Sequence, residues 1–215
     1  MIPRLSTLDM PRLSTLAMIA ASRRIALVLL LSSTAALGVG PSARQVRDVD
    51  GMTRDLFTPA GRANVLVFVS SDCPISNGYA PEIQRVCADG RGAGVTCALV
   101  YEDVSIDTAA VRSHRDQYRY RDMPAVIDAD GAIARRAKAT VTPQAVVVDR
   151  AGVVKYRGRI DNQYAALGQP RRVVTVHDLG DAIAAVIAGR PIVQAETEAV
   201  GCFIPRSFSS TRTRQ

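Results

Sequence analysis

A chain of 215 residues with 22% charged and 47% hydrophobic positions has the composition of a globular domain rather than of a disordered segment. Of its +7 formal charge, residues 1–43 hold four Arg against Asp9, the tail holds Arg206, Arg212 and Arg214, and the body is left near +1. A phosphate-reading surface needs its basic residues on the folded body, so nucleic-acid binding loses its main support.

The N-terminus carries an export pattern. Arg23 and Arg24 precede IALVLLLSSTAALGVG, an apolar run ending in small residues, with Ala36 and Gly38 three and one before a cut. A membrane-spanning helix takes about 20 apolar residues, and this run turns small and hydroxylated after Leu31. The expectation is a cleaved signal over residues 1–43 and an extracytoplasmic protein, periplasmic or secreted, that meets a membrane only if the segment is retained as an anchor. Ser22-Arg23-Arg24 hints at a twin-arginine signal, weakened by Ala26 ahead of Leu27. The adjoining repeats PRLSTLDM and PRLSTLAM have no structural logic at that length and point to Met10 or Met18 as the start.

One domain is expected over residues 44–190, followed by a C-terminal arm, 191–215, that carries Cys202 among residues with no helical or strand period and is expected to be irregular. ANVLVFVSS is a continuous apolar run, the pattern of a central strand covered on both faces, and it stops directly before Cys73. ISNGYAPEIQRVCAD then fits one helix, with Tyr79, Ile83, Val86 and Cys87 in a stripe and Glu82, Gln84 and Arg85 facing away. VTCALVY reads as a second buried strand and SIDTAAVRSHRDQYRY as a second helix, on which His114 falls on the apolar side. PAVID gives a short strand and GAIARRAKA a short helix. VTPQAVVVDRAGVVKYRGRI gives two β-branched runs around the turn DRAG, a hairpin. HDLGDAIAAVIAG stacks Leu179, Ile183, Val186 and Ile187 and stops at Gly189 with Pro191 behind it. Parallel βα units first and an antiparallel hairpin last is the order of an α/β, thioredoxin-like fold: a central mixed sheet with helices on both faces.

Cys73 is the candidate reactive group. At the first turn of a helix a sulfur faces backbone N–H groups without intrahelical partners and the positive end of the helix dipole, which favour thiolate and predict a pKa below the free value of about 8.5. Pro74 suits the first helical position, and the Ser76 hydroxyl, three residues on, is placed to donate to the sulfur. The opposing reading is a buried, inert cysteine. Cys87 and Cys97 read as core residues near enough to be bridged, and the sequence leaves that open. Of the three pairings that four cysteines allow, Cys73 with Cys202 plus Cys87 with Cys97 leaves Cys73 free to exchange. His114 reads as a satisfied core histidine and His177 as a helix-start residue. Neither stands at a metal-ligand spacing from Cys73, so no metal and no cofactor is expected. Arg159, Asp161, Arg171 and Arg172 read as a solvated rim, with a frame around a substrate groove as the alternative, and no role is assigned to them.

The stretch Cys73 to Glu82 (CPISNGYAPE), the strand end Tyr156 to Asp161 (YRGRID) and the late Gly201 to Ile204 (GCFI) together resemble exported bacterial redoxins. These belong to the thioredoxin-like group that includes the alkyl hydroperoxide reductase and thiol-specific antioxidant relatives. The resemblance spans roughly residues 46–204. It implies a thiol oxidoreductase, and it implies that Thr142-Pro143 is a cis bond whose flanking backbone pairs with substrate across from Cys73. Two departures matter. Ser76 stands where a dithiol enzyme has its second cysteine. Leu66 stands where peroxiredoxins have Pro, and the strand after Pro143 lacks their peroxide-binding arginine, which weakens a peroxidase reading. The expected activity is thiol-disulfide exchange through a mixed disulfide on Cys73, resolved by Cys202, with protein or small-molecule thiols and disulfides as partners and an unidentified electron donor. The alternatives are a thiol-dependent peroxidase and a non-catalytic thioredoxin-like binding module.

Overall fold

The computed structural model describes residues 45–204. The expected signal, the choice of start and the end of the tail lie outside the described residues. A hairpin of β1 (Gln45–Arg47) and β2 (Thr53–Asp55) leads into β3 (Ala63–Val69), every residue of which is buried. Then follow helix α1 (Pro74–Gly78), helix α2 (Ala80–Arg91), strand β4 (Val95–Tyr101), helix α3 (Thr108–Gln117), strand β5 (Ala125–Ile127) and helix α4 (Ala132–Ala137). After β6 (Val141–Thr142) come β7 (Gln144–Asp149), β8 (Val154–Gly158), β9 (Tyr164–Ala166), β10 (Gln169–Pro170), helix α5 (Asp178–Ile187) and β11 (Cys202–Phe203).

The central sheet has the order β5-β4-β3-β7-β8, with β3, β4 and β5 parallel and β7 and β8 antiparallel. This is the mixed sheet that the order of elements predicts. Because side chains alternate along a strand, β3 serves two cores at once. Val65, Val67 and Val69 meet Ile83 of α2, Val111 of α3 and Leu179 of α5, while Leu66 and Phe68 meet Leu56, Phe57 and Ile133 of α4. Fully burying a side chain such as Phe68 contributes about 1.5–3 kcal/mol, so β3 is the most heavily stabilised element and a firm base for whatever follows Val69. Among the described residues no helix is long and apolar enough to cross a membrane.

Two expectations are corrected. The single helix expected after Cys73 is two, interrupted at Tyr79. Pro81 has no N–H to give and its ring collides with the carbonyl four residues back, so the chain restarts rather than continues. Nor is the C-terminal arm irregular along its whole length. Beyond Gly189, whose φ is +64°, residues 195–197 run beside β8: the Arg157 N–H donates to the Ala195 carbonyl at 2.9 Å and the Thr197 N–H to the Arg157 carbonyl at 3.0 Å. Gly158 makes this approach feasible, since a Cβ there would lie 2.0 Å from Thr197 Oγ1. β11 then pairs antiparallel with β6, Cys202 opposite Thr142 and Phe203 opposite Val141. The arm has no periodic signature because it docks as two short backbone contacts rather than through an apolar face.

Candidate functional site

Strand β3 ends at Val69, and Ser70 to Asp72 carry the chain to Cys73, the N-cap of α1. Asp103, just past β4, fixes this link: its carboxylate accepts from Ser70 Oγ at 2.8 Å and from the Ser71 N–H at 3.1 Å. On the other side Asn77 Nδ2 donates to the Ser71 carbonyl at 2.8 Å. Asn77 is itself held by His114, whose Nε2 lies 2.9 Å from Asn77 Oδ1 while Tyr101 Oη lies 2.8 Å from Nδ1. With Asn77 Nδ2 committed as donor, its Oδ1 is the acceptor, which places the imidazole proton on Nε2. Burial lowers the pKa of His114 against the opposing pull of Asp103 and Asp72, so the ring is neutral, as this bonding needs. The expectation of a satisfied core histidine holds; its partner on the active helix is new.

Cys73 is 1% exposed. As a thiol it donates to the Thr142 carbonyl at 3.2 Å, and the Thr142-Pro143 bond is cis, as the resemblance implies. Cys202 Sγ lies 2.6 Å from Cys73 Sγ, inside ordinary non-bonded contact although both thiols are free, where a disulfide would stand at about 2.05 Å. Gly201 brings the strand this close: a Cβ on it would sit 2.1 Å from the Thr142 carbonyl oxygen. Burial works against a charged Cys73 sulfur. Hydrogen bonds from the Cys202 thiol, the Ser76 backbone N–H, the Cys202 backbone and the Thr142 side chain outweigh it and hold its pKa below the ordinary thiol value. Burial and the neighbouring Cys73 push Cys202 up to about 11. When the pair loses one proton, the negative charge is therefore favoured on Cys73 over Cys202.

Ser76 acts differently from the sequence expectation. Its backbone N–H, an unpaired first-turn donor, serves the sulfur, while its Oγ accepts from the Ser70 N–H at 3.4 Å. Asp161 is also corrected, from solvated rim to 2% exposed, with Oδ1 accepting from Tyr79 Oη at 2.8 Å. Two of the three resembling stretches thus meet in one hydrogen bond. Arg159 pairs with Asp178 at 2.6 Å. Cys87 and Cys97, left open by the sequence, form a disulfide.

Sequence reasoning missed Asp103, the tie from Asn77 to His114, and Glu102. The last is 6% exposed, with Oε1 lacking a hydrogen-bond partner among the described residues and its pKa raised to about 9 by burial and by Asp128. None carries a motif, because each acts through a contact between elements far apart in sequence. For a metal, ligand atoms of Glu82, Asp161 and His177 lie within 4.8 Å of one another. Arg85 already binds both Glu82 oxygens and Asp161 Oδ1 already accepts from Tyr79, so this cluster is neutralised from within.

A mixed sheet presenting a cysteine at a helix N-terminus opposite a cis-proline defines a thioredoxin-like protein. Residues 41–157, more than half of the chain, match the AhpC/TSA family, and the chain belongs to that family. Among solved structures it is similar to a hypothetical protein of Sinorhizobium meliloti 1021, with 22% identity, a TM-score of 0.65 and coverage of 77% of this chain and 91% of that one. It is similar also to an uncharacterized conserved protein of Geobacillus kaustophilus, with 22% identity, a TM-score of 0.64 and coverage of 74% and 86%. These likenesses establish the fold. No curated protein matches the chain.

Proposed function

We propose that this protein is an exported thiol-disulfide oxidoreductase in which Cys73 is the nucleophile and Cys202 resolves the mixed disulfide. The observation that carries the reading is the 2.6 Å separation of the two sulfurs, with the charge biased to Cys73. The Cys73 thiolate attacks one sulfur of a client disulfide, forming a mixed disulfide and releasing the first client thiolate. Cys202, deprotonated as its sulfur attacks Cys73, releases the second client thiolate and leaves a Cys73 to Cys202 disulfide. Two electrons have then passed to the client, and an external thiol donor restores the pair. Thr142 and Pro143 form the wall across from Cys73, where a client segment would take the backbone positions that β11 holds at rest. The export pattern at the N-terminus and the Cys87 to Cys97 disulfide favour an oxidising compartment.

Reduction of insulin or a model disulfide by the purified protein, lost in Cys73→Ser, tests this. Consumption of hydrogen peroxide with a thiol reductant, in place of disulfide reduction, would replace the reading with a peroxidase. Absence of both activities would leave a binding module.

A further inference from the structure

The two cysteines differ in what reaches them from outside. Cys73 is 1% exposed and enclosed by α1, the Thr142 carbonyl and Cys202, whereas Cys202 is partly exposed. A cleft of about 560 Å³ opens beside the pair. Thr142 and Cys202 line it and Cys73 does not. Its remaining wall includes Asp72, Glu102, Asp103 and Phe203, and among the described residues it contains no Lys, Arg or His. Asp72 is exposed, Phe203 is 83% exposed, and Glu102 brings a buried oxygen with no hydrogen-bond partner among the described residues.

From this arrangement we infer that the oxidised protein is reduced through Cys202: the thiolate of a neutral or basic dithiol donor enters the cleft and attacks Cys202 Sγ, and Cys73 is the leaving group. The inference rests on the proposed Cys73 to Cys202 disulfide. One sulfur-sulfur bond forms between donor and Cys202, the bond to Cys73 breaks, and its electron pair goes to Cys73 as thiolate. The donor's second thiolate then attacks its own sulfur in the mixed disulfide. This releases Cys202, which takes up a proton, and the donor leaves oxidised.

Access and chemistry agree on this direction. In the oxidised protein the bond to Cys73 holds β11 against β6, so a line of attack on Cys73 stays closed while Cys202 borders solvent; only with both thiols free can β11 lift for a client. A thiol of lower pKa leaves faster, and the Ser76 backbone N–H waits at Cys73 for the departing charge whereas Cys202 is disfavoured as an anion. The strand that carries Cys202 also covers β6, so a donor cannot use the Thr142 backbone until Cys202 has been attacked. Asp72 and Asp103, with no cation beside them among the described residues of the wall, disfavour a donor of net negative charge.

The experiment uses the oxidised wild-type protein and two monothiol peptides, one rich in lysine and one rich in glutamate. The reaction is quenched in acid within the first turnover, free thiols are alkylated, and the adduct is mapped. The expected product carries the peptide on Cys202 and the alkyl label on Cys73. The reverse placement, or an even mixture, overturns the inference while leaving the proposed activity intact. Starting protein without a Cys73 to Cys202 disulfide overturns both. At low ionic strength the lysine peptide should react about five-fold faster, a gap that narrows in salt and in Asp72→Asn. Equal rates for the two peptides in the wild type would remove the cleft as the route of approach.

Discussion

Cys87 and Cys97 stand 10 residues apart on α2 and β4, bonded and buried; Cys73 and Cys202 stand 129 residues apart, unbonded, with 2.6 Å between the sulfurs. The first pair joins two elements that pack together in any case. Its sulfurs lie in the apolar core with Val86, Val95 and Leu99. The second pair stands at the end of the sheet where backbone donors are left over, beside an open cleft. Identical side chains thus divide between a staple and, in the proposed function, a reactive couple. What separates them is the supply of hydrogen-bond donors to the charged form, which the end of the sheet and the first turn of α1 give to Cys73.

Replacing a member of each pair should break this contrast in opposite ways. Cys73→Ser should lower disulfide-reductase turnover by about two orders of magnitude or more while leaving the melting temperature nearly unchanged; retained turnover would move the chemistry elsewhere. Gly201→Val comes next. Its side chain cannot coexist with the Thr142 carbonyl, so β11 must lift from β6. The rate at which the Cys73 to Cys202 disulfide forms should fall about ten-fold or more, and the thiolate absorbance of Cys73 should shift to higher pH as it loses the Cys202 donors. Unchanged values for both would show that the strand pairing does not set the site.

The double replacement Cys87→Ala with Cys97→Ala should cost about 2–4 kcal/mol of stability by denaturant titration and spare turnover measured well below the new melting point. A smaller effect is expected at Glu102, whose pKa rises from 4.5 to about 9. The folded chain keeps a proton there that the unfolded chain gives up, so this group's contribution falls as pH rises from about 4.5 toward 9. Glu102→Gln should therefore melt like the wild type near pH 4 and progressively above it toward pH 9, as a series of thermal melts would reveal. A constant difference across that range would refute the assignment.

Much of the fold is legible because the strands are long apolar runs whose alternate residues both need cover, as in Ala63–Val69 and Val95–Tyr101. The two helices after Cys73 read as one because Ile75, Tyr79, Ile83, Val86 and Cys87 keep helical spacing through the break at Tyr79, and the stripe hides what Pro81 does to the backbone. Cys73, the cis bond at Pro143 and the partnership with Cys202 follow from local chemistry and resemblance. Ser76 is placed correctly along the chain, but a sequence does not say which of a residue's donors faces a sulfur. Asp103, His114 and Asp161 contribute through neighbours 32, 37 and 82 residues away, and no window along the chain contains both ends of those bonds.

The anchor beside β8 also sets a kinetic bias. Thr197 is tied through its Oγ1 to Tyr156 Oη at 2.7 Å and through its N–H to Arg157, which leaves only four residues between it and Cys202. Five residue steps span at most about 17 Å, so Cys202 explores a small volume around the Thr197 anchor that includes Cys73 even when β11 has lifted. Its effective concentration there lies in the millimolar range or above, beyond what a second copy of the chain or a stray thiol would reach in dilute solution. The proposed resolution would thereby stay within one molecule, and a covalent dimer through these cysteines would be the disfavoured product.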